Sequence, residues 1–90
     1  MGAARWLVYV LRCGDGTLYT GVTTDLARRL AAHRAGRGAR YTRGRGPLRV
    51  VHVEDVGGRG DALRREHAIK RMSRAAKRGL LRGRAAGRAP

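Results

Sequence analysis

The sequence predicts an α+β (α/β) domain, a three-stranded antiparallel sheet flanked by helices in the order β-β-α-β-α-α. Two short runs near the N-terminus, residues 7–11 and 17–22, are rich in β-branched and aromatic residues, and a turn signal between them favours a hairpin. A third run, residues 48–54, alternates like a strand. We expect one domain over residues 5–82 and a disordered basic tail over residues 83–90.

The register of the hairpin decides which face of the sheet each of its tyrosines occupies. Strand side chains alternate between faces, so a loop with an odd number of residues puts Tyr9 and Tyr19 on the same face. A two-residue turn at Asp15-Gly16 would put them on opposite faces. The sequence leaves both registers open.

The first helix is predicted over residues 23–33, with a threonine N-cap and an acid in the first turn. Leu26 and Leu30 form its apolar stripe. At about 100° per residue, Arg29 and His33 fall beside that stripe. We therefore expect a permanent cation and a titratable imidazole at the rim of the buried face.

The segment that follows, residues 34–47, is rich in arginine and glycine and is predicted to be an irregular, mobile loop. Its functional interpretation is an arm that contacts phosphates, with Tyr41 available to stack on a base. The alternative is a solvated connector. The candidate nucleic-acid-binding residues are Arg28, Arg37, Arg40, Tyr41, Arg43 and Arg45, together with Lys70 and Lys77 on the later helices.

The second helix, predicted over residues 61–72 after a loop at 56–60, carries an acid in its apolar stripe. Glu66 shares a helix face with Ala62, Leu63 and Ile69, and a carboxylate there is costly unless a cation compensates it. The compensating cation is a metal ion, Lys70 four residues on, or a nearby arginine. A third helix is predicted over residues 74–82. Its N-cap is Ser73, and its inward side chains are Ala76, Leu80 and Leu81.

The net charge of +15 and the pI near 11.9 predict a polyanionic partner, with nucleic acid the default. Cys13 is the only cysteine, which excludes an internal disulfide framework and a cysteine-rich zinc site. No window approaches the roughly 18 apolar residues of a membrane span, and no signal segment is visible. We expect a cytoplasmic bacterial protein, with nucleoid association as an option.

The ordered set of these residues resembles the GIY-YIG nuclease family, in particular its short stand-alone bacterial type (UPF0213-like). Leu7-Val8-Tyr9 stands in the place of Gly-Ile-Tyr, and Tyr19-Thr20-Gly21 in the place of Tyr-Ile-Gly. Arg29, His33 and Glu66 match the family's arginine, histidine and acidic positions. Many members also have an asparagine on a late helix. This chain contains none, and the sequence does not decide whether Lys77 or Ser73 takes that place.

The resemblance implies an endonuclease that hydrolyses phosphodiester bonds in DNA, acting on particular DNA structures and linked to repair or recombination. Tyr9, Tyr19, Arg29, His33 and Glu66 are then catalytic, and Glu66 holds Mg²⁺ or Mn²⁺. RNA is an alternative substrate, and a companion protein would supply specificity. The alternatives are a non-catalytic basic module that binds DNA or RNA, and a ribosome-associated structural protein.

Overall fold

A computed structural model describes residues 4–88, and its elements follow the predicted order. Strands β1 (Trp6–Arg12), β2 (Leu18–Thr23) and β3 (Arg49–Gly57) form one antiparallel sheet in the order β2-β1-β3. The helices are α1 (Leu26–Arg34), α2 (Arg59–Lys70) and α3 (Arg74–Arg88), with a short 3-10 helix at Arg40–Thr42. The predicted fold class is confirmed. Among the described residues, no helix is long and apolar enough to cross a membrane.

Strand β1 lies at the centre of the sheet because its side chains are apolar or aromatic on both faces. Successive residues alternate between two buried clusters, one on each face. The cluster that we call the α1 face contains Tyr9, Leu11, Cys13 and Leu48, with Leu26 and Leu30 of α1 packed against it. The cluster that we call the α2 face contains Val8, Val10, Ala62 and Ile69, with Trp6 packed against it.

Several element boundaries differ from the sequence prediction. The N-cap of α1 is Asp25 and not a threonine: its carboxylate accepts a hydrogen bond from the Arg28 backbone N–H at 3.1 Å. Thr23 instead bonds to the backbone of Asp25, which leaves the capping position to the aspartate. The predicted loop at 56–60 is also wrong, because β3 stays paired with β1 as far as Gly57 and α2 begins at Arg59.

Helix α3 starts as predicted but runs further. The Ser73 hydroxyl accepts a hydrogen bond from the Ala76 backbone N–H at 3.1 Å, which confirms the N-cap. The helix continues to Arg88, so helical backbone replaces most of the predicted disordered tail; residues 89–90 lie outside the described part. Two packing predictions are wrong: Ala76 and Leu63 are exposed, because Leu80 and Ala62 supply the contacts with the α2 face.

Candidate active site

The two motif tyrosines stand on the same face of the sheet. Strand β1 pairs with β2 so that Tyr9 lies opposite Gly21 and Leu11 opposite Tyr19. Directly opposed residues project to the same side, so the odd-numbered loop, residues 13–17, is the register that the protein adopts. The ring centroids of Tyr9 and Tyr19 are 6.4 Å apart. Both phenols therefore belong to the α1 face.

His33, near the C-terminal end of α1, is brought against both phenols. Its side chain is buried, with 2% exposure, and its Nε2 lies 2.8 Å from the Tyr9 hydroxyl. The imidazole meets Tyr19 edge-on at a centroid distance of 5.2 Å. Helix α1 holds the ring there because Leu26 and Leu30, on the adjacent stripe, pack against the same face.

The loop after α1 fixes the orientation of the His33 ring. The Thr42 hydroxyl lies 2.9 Å from His33 Nδ1 and donates to the Ala39 carbonyl at 3.0 Å. A carbonyl only accepts, and the hydroxyl has one proton, so Thr42 accepts from Nδ1–H. The Ala39 backbone N–H lies farther from Nδ1, at 3.4 Å, and it cannot donate to the protonated nitrogen, so the closer Thr42 contact decides the tautomer. Nε2 is thus left to accept the proton of the Tyr9 hydroxyl.

Beyond the end of α1, the segment over residues 34–47 is irregular as predicted apart from the short 3-10 helix, but part of it is anchored against His33. Thr42 is buried within a 3-10 helix, and a Cβ on Gly38 would collide with the His33 ring, so the backbone packs directly on the imidazole. Sequence reasoning missed Thr42 as a site residue. A lone threonine among arginines and glycines carries no hydrophobic periodicity that would predict its burial.

The pKa shifts of Tyr9 and His33 keep the proton of their hydrogen bond on the Tyr9 oxygen. Burial lowers the pKa of His33 below its usual value, and the charge of Arg29 lowers it further. Burial raises the pKa of Tyr9 above that of an ordinary phenol, although a hydrogen bond with Arg29 opposes the rise. Desolvation is the larger of these effects, so the pKa of Tyr9 is raised even though Arg29 lowers it. Tyr9 therefore stays protonated beside a neutral imidazole.

Arg29 of α1 lies beside the two phenols. Its side chain is partly buried, and its pKa is raised, mainly through its hydrogen bond with the Tyr9 oxygen. A guanidinium in this place is a permanent cation at neutral pH. It places a fixed positive charge next to the Tyr9–His33 pair.

Gly21 has a steric reason to be glycine. A Cβ at this position would lie 2.6 Å from the Tyr9 hydroxyl oxygen and 3.1 Å from the Tyr19 ring. Because Gly21 is the cross-strand partner of Tyr9, the phenol passes directly over its backbone. The glycine of the second motif is thus what allows the Tyr9 hydroxyl to reach His33.

Glu66, on α2, is near the cluster but has a protein partner. Its side chain is 19% exposed, and its carboxylate lies 3.1 Å from the Lys70 ammonium, so the predicted ion pair is present. Its negative charge also raises the pKa of Tyr9, which places it within electrostatic reach of the phenol. Among the described residues, no group of three or more His, Cys, Asp or Glu side chains is arranged to hold a metal.

A divalent ion nevertheless fits this donor set. Mg²⁺ is commonly held by one or two carboxylates, with water and substrate phosphates completing its shell. Glu66 offers such a carboxylate. The Lys70 ammonium beside it shows that a positive charge is accommodated at this position. The role of Glu66 as a metal ligand stays a prediction.

The predicted nucleic-acid contacts divide into exposed and engaged side chains. The ring of Tyr41 stacks on Tyr19 at 5.9 Å, and the Arg45 guanidinium covers it at 4.4 Å from the centroid. Arg45 also binds Asp15 at 2.6 Å, so neither Tyr41 nor Arg45 is a free arm. Lys70 pairs with Glu66. The remaining candidates are Arg28, Arg37, Arg40 and Arg43, which are exposed, and Lys77, which is partly buried.

A small sheet with two tyrosines on one face, packed against a helix that supplies an arginine and a histidine, is typical of the GIY-YIG class of domain. The family model described as the GIY-YIG catalytic domain matches residues 5–79, and the chain belongs to that family. Members of the family are nucleases that act on nucleic acid and generally depend on a divalent metal ion.

Relatives and solved structures agree with this assignment. The chain is 55% identical over 73 residues to a UPF0213 protein of Halobacterium salinarum, which covers 81% of this chain and 95% of the relative. It is similar to the solution NMR structure of a UPF0213 protein from Bacillus halodurans, with a TM-score of 0.57, 45% identity and coverage of 86% and 82% of the two chains. A protein from E. faecalis gives a TM-score of 0.63, 37% identity and coverage of 91% and 88%.

Proposed function

We propose that this protein is a metal-dependent endonuclease that hydrolyses phosphodiester bonds in DNA. The observation that carries the proposal is the buried hydrogen bond between the Tyr9 hydroxyl and His33 Nε2, with Arg29 beside it. A phenol bonded to a neutral imidazole, next to a fixed cation, is a costly arrangement for a structural core. It suits a site that takes a proton from water next to an anionic phosphate.

Water activation runs through the Tyr9–His33 pair. As the water oxygen attacks phosphorus, its proton passes to the Tyr9 oxygen while the Tyr9 proton passes to His33 Nε2. The bridging P–O bond of the substrate breaks in the same displacement, and the departing sugar oxygen takes a proton from solvent water. The lowered pKa of His33 leaves Nε2 free to accept at neutral pH. The pair thus acts as one base, and Tyr9 need not exist as a free phenolate, which its raised pKa disfavours.

Arg29 and Glu66 stabilise the phosphate, the first directly and the second through a metal ion. Arg29 donates to the non-bridging oxygens and stabilises the charge that builds on them in the transition state. Glu66 is the residue that would hold Mg²⁺ or Mn²⁺, which when bound supplies Lewis-acid stabilisation of the phosphate. Tyr19 packs against His33 and limits the motion of the imidazole.

One observation favours a second candidate, a basic module that binds DNA or RNA without cutting it. The salt bridge between Glu66 and Lys70 already satisfies the carboxylate that the metal requires. In that case the phenols and His33 are remnants of the family's site, and the charge of +15 does the binding.

A cleavage assay separates the two candidates. Branched, nicked, double-stranded and single-stranded DNA are incubated with Mg²⁺ or Mn²⁺, with RNA as a further substrate. The endonuclease is expected to cut at least one of them, and Glu66→Gln to abolish cutting while salt-dependent binding persists. Asp61→Asn is the matched control, since Asp61 is another α2 acid paired with a basic neighbour, Arg64.

Two results would contradict two different parts of the proposal, the metal-ligand assignment and the cleavage activity. Retained cutting by Glu66→Gln would remove the metal-ligand assignment. Binding without cutting on every substrate would favour the non-catalytic module. Preference for branched DNA would extend the proposal to repair or recombination, and activity that appears only with an added protein would support a companion that supplies specificity.

A further inference from the structure

A cleft of about 640 Å³ lies between the tip of the β1–β2 hairpin and helix α3, outside the cluster of Tyr9, His33 and Arg29. The volume falls within the range of ligand sites, roughly 300–1,000 Å³. Arg12 lines it from the hairpin side, and Tyr41 contributes from the loop. Three further cations, Arg74, Lys77 and Arg78, line it from α3.

In the described residues, the cations that line this cleft are not paired with a carboxylate. Arg74, Lys77 and Arg78 are spaced i, i+3 and i+4, which puts them on one face of α3. Within the part of the chain that the structure describes, neither they nor Arg12 form a salt bridge. Like charges gathered on one helix face repel one another, so the arrangement favours a bound anion.

The one acid that lines the cleft is already engaged. The Asp15 carboxylate accepts hydrogen bonds from the Thr17 backbone N–H and hydroxyl, and it pairs with Arg45 at 2.6 Å. These contacts lower the pKa of Asp15, with the Thr17 hydroxyl as the main cause. Asp15 therefore shapes the hairpin tip without cancelling the positive charge across the cleft.

We propose that this cleft binds backbone phosphates of the nucleic-acid strand that continues from the bond to be cut, with Arg12, Arg74, Lys77 and Arg78 as the phosphate-binding residues. The inference rests on the proposed function for the path of the strand. Arginine suits the role because its guanidinium donates two parallel hydrogen bonds to phosphate oxygens.

The rings of the site connect the cleft to the catalytic cluster. Tyr41, which lines the cleft, is 5.9 Å from Tyr19, and Tyr19 is 6.4 Å from Tyr9. Successive nucleotides rise about 3.4 Å along a duplex strand. A strand held at Tyr9 therefore reaches the cleft within about four nucleotides. The α3 cations thus contact phosphates that flank the scissile one.

Salt-dependent binding tests the cleft without requiring cleavage. A fluorescein-labelled DNA oligonucleotide is titrated in EDTA over a range of KCl concentrations with the full chain and with Arg74→Gln/Arg78→Gln. Each lost phosphate contact reduces the slope of log K against log salt by about 0.7–0.9, so we expect a reduction of about 1.4–1.8. Arg59→Gln/Arg64→Gln is the control: it removes two exposed α2 arginines that do not line the cleft.

A reduction of the slope in the α3 variant and not in the α2 control supports the proposal. Equal slopes in the two variants would overturn it, because net charge alone would then explain binding. Thermal unfolding of both variants by circular dichroism checks that the comparison is between folded proteins, and Lys77→Gln alone, with an expected slope change of about 0.7–0.9, repeats the test with a single substitution.

A length series keeps this proposal separate from the endonuclease proposal. Lengthening the oligonucleotide by a few nucleotides past the footprint of the catalytic cluster should increase the affinity of the full chain more than that of Arg74→Gln/Arg78→Gln. An identical dependence on length in both proteins would contradict the cleft. Cleavage that survives Glu66→Gln would contradict the catalytic assignment and leave these binding results unaffected.

Discussion

Two buried histidines on opposite faces of the sheet show what distinguishes the candidate site from the rest of the core. His33, on the α1 face, bonds to a phenol and a hydroxyl. His52 lies opposite Val10 and so belongs to the α2 face, where its Nε2 is 2.7 Å from Glu54. Arg65 pairs with the same carboxylate through two hydrogen bonds of 2.7 and 2.9 Å.

The difference lies in the partners rather than in the burial. Both residues are almost fully buried, at 2% and 4% exposure. On the α2 face, Glu54 bonds to both His52 and Arg65, so the guanidinium compensates the charge of the carboxylate. On the α1 face, no carboxylate of the described residues bonds to His33, and the nearby charge is the cation Arg29, which lowers the imidazole pKa. This difference in partners is why the proposed mechanism assigns proton transfer to His33 and a structural role to His52.

The largest expected effect comes from exchanging the two histidines for alanine one at a time. His33→Ala removes the proton acceptor of the Tyr9 hydroxyl and should lower kcat by on the order of 10²–10⁴-fold. His52→Ala should leave the kcat of folded protein near wild type and lower the free energy of unfolding by about 1–3 kcal/mol. Single-turnover cleavage and urea unfolding measure the two quantities. Equal losses of activity would erase the distinction between the faces.

A smaller but more local effect is expected at the α1 face from Gly21→Ala. The added methyl group would meet the Tyr9 hydroxyl and push it from His33, and a displacement of about 1 Å in a catalytic group costs roughly 10² in rate. Gly79→Ala is the control, since its Cβ meets nothing and it lies within α3. The control should keep activity and gain about 0.5–1 kcal/mol of stability. Full activity in Gly21→Ala would show that the Tyr9–His33 bond is dispensable.

On the α2 face, Arg65→Met should affect stability alone. It removes the two hydrogen bonds to Glu54 and leaves that carboxylate with His52 only, at an expected cost of about 1–3 kcal/mol. Cleavage per folded molecule should stay within about twofold of wild type. Thermal unfolding and a cleavage assay below the midpoint test both statements. A large loss of activity would mean that the two faces are coupled.

The smallest expected effect is the pH dependence of the free energy of unfolding, to which the α1 face and the α2 face contribute at different pH. The pKa of His33 is lowered by folding, so the unfolded chain binds its proton more readily, and the stability that this group contributes is lost as the pH falls below about 6.5. The lowered pKa of Glu54, caused mainly by Arg65, adds a second loss below about pH 4.3. Urea unfolding across pH 3–8 should show both windows. In His33→Gln only the loss of stability at the lower pH should remain. If the loss below about pH 6.5 persists, a group other than His33 causes it.

Much of the fold was predictable because local patterns and tertiary packing agree. The two strands of the hairpin, the strand that closes the sheet and the Ser73 cap were all visible as period-two alternation or capping residues. The errors lie where tertiary contacts decide. Strand β3 extends to Gly57 through its pairing with β1, and loop residue Thr42 is buried by the imidazole that it contacts.

The candidate site was predictable as a set of residue types and not as an arrangement. Tyr9, Tyr19, Arg29 and His33 are predicted as site residues through the family resemblance, and the helical period adds only that Arg29 and His33 share one edge of the helix. The ion pair of Glu66 with Lys70 is one of three alternatives that the sequence leaves open, beside a metal ion and a nearby arginine. Arg74 and Arg78 belong to no sequence motif, and from the sequence alone they are ordinary solvated charges on a helix. Their role depends on the position of α3 beside the hairpin, which only the structure shows.

By itself, the sequence determined which residues are able to do chemistry and which segments pair or coil, because composition and periodicity act over a few neighbouring residues. The tertiary structure decided the register that puts both phenols on one face, the burial that sets the pKa values of Tyr9 and His33, and the approach of α3 to the hairpin. These depend on contacts between residues far apart in the chain, whose free energies no local pattern encodes.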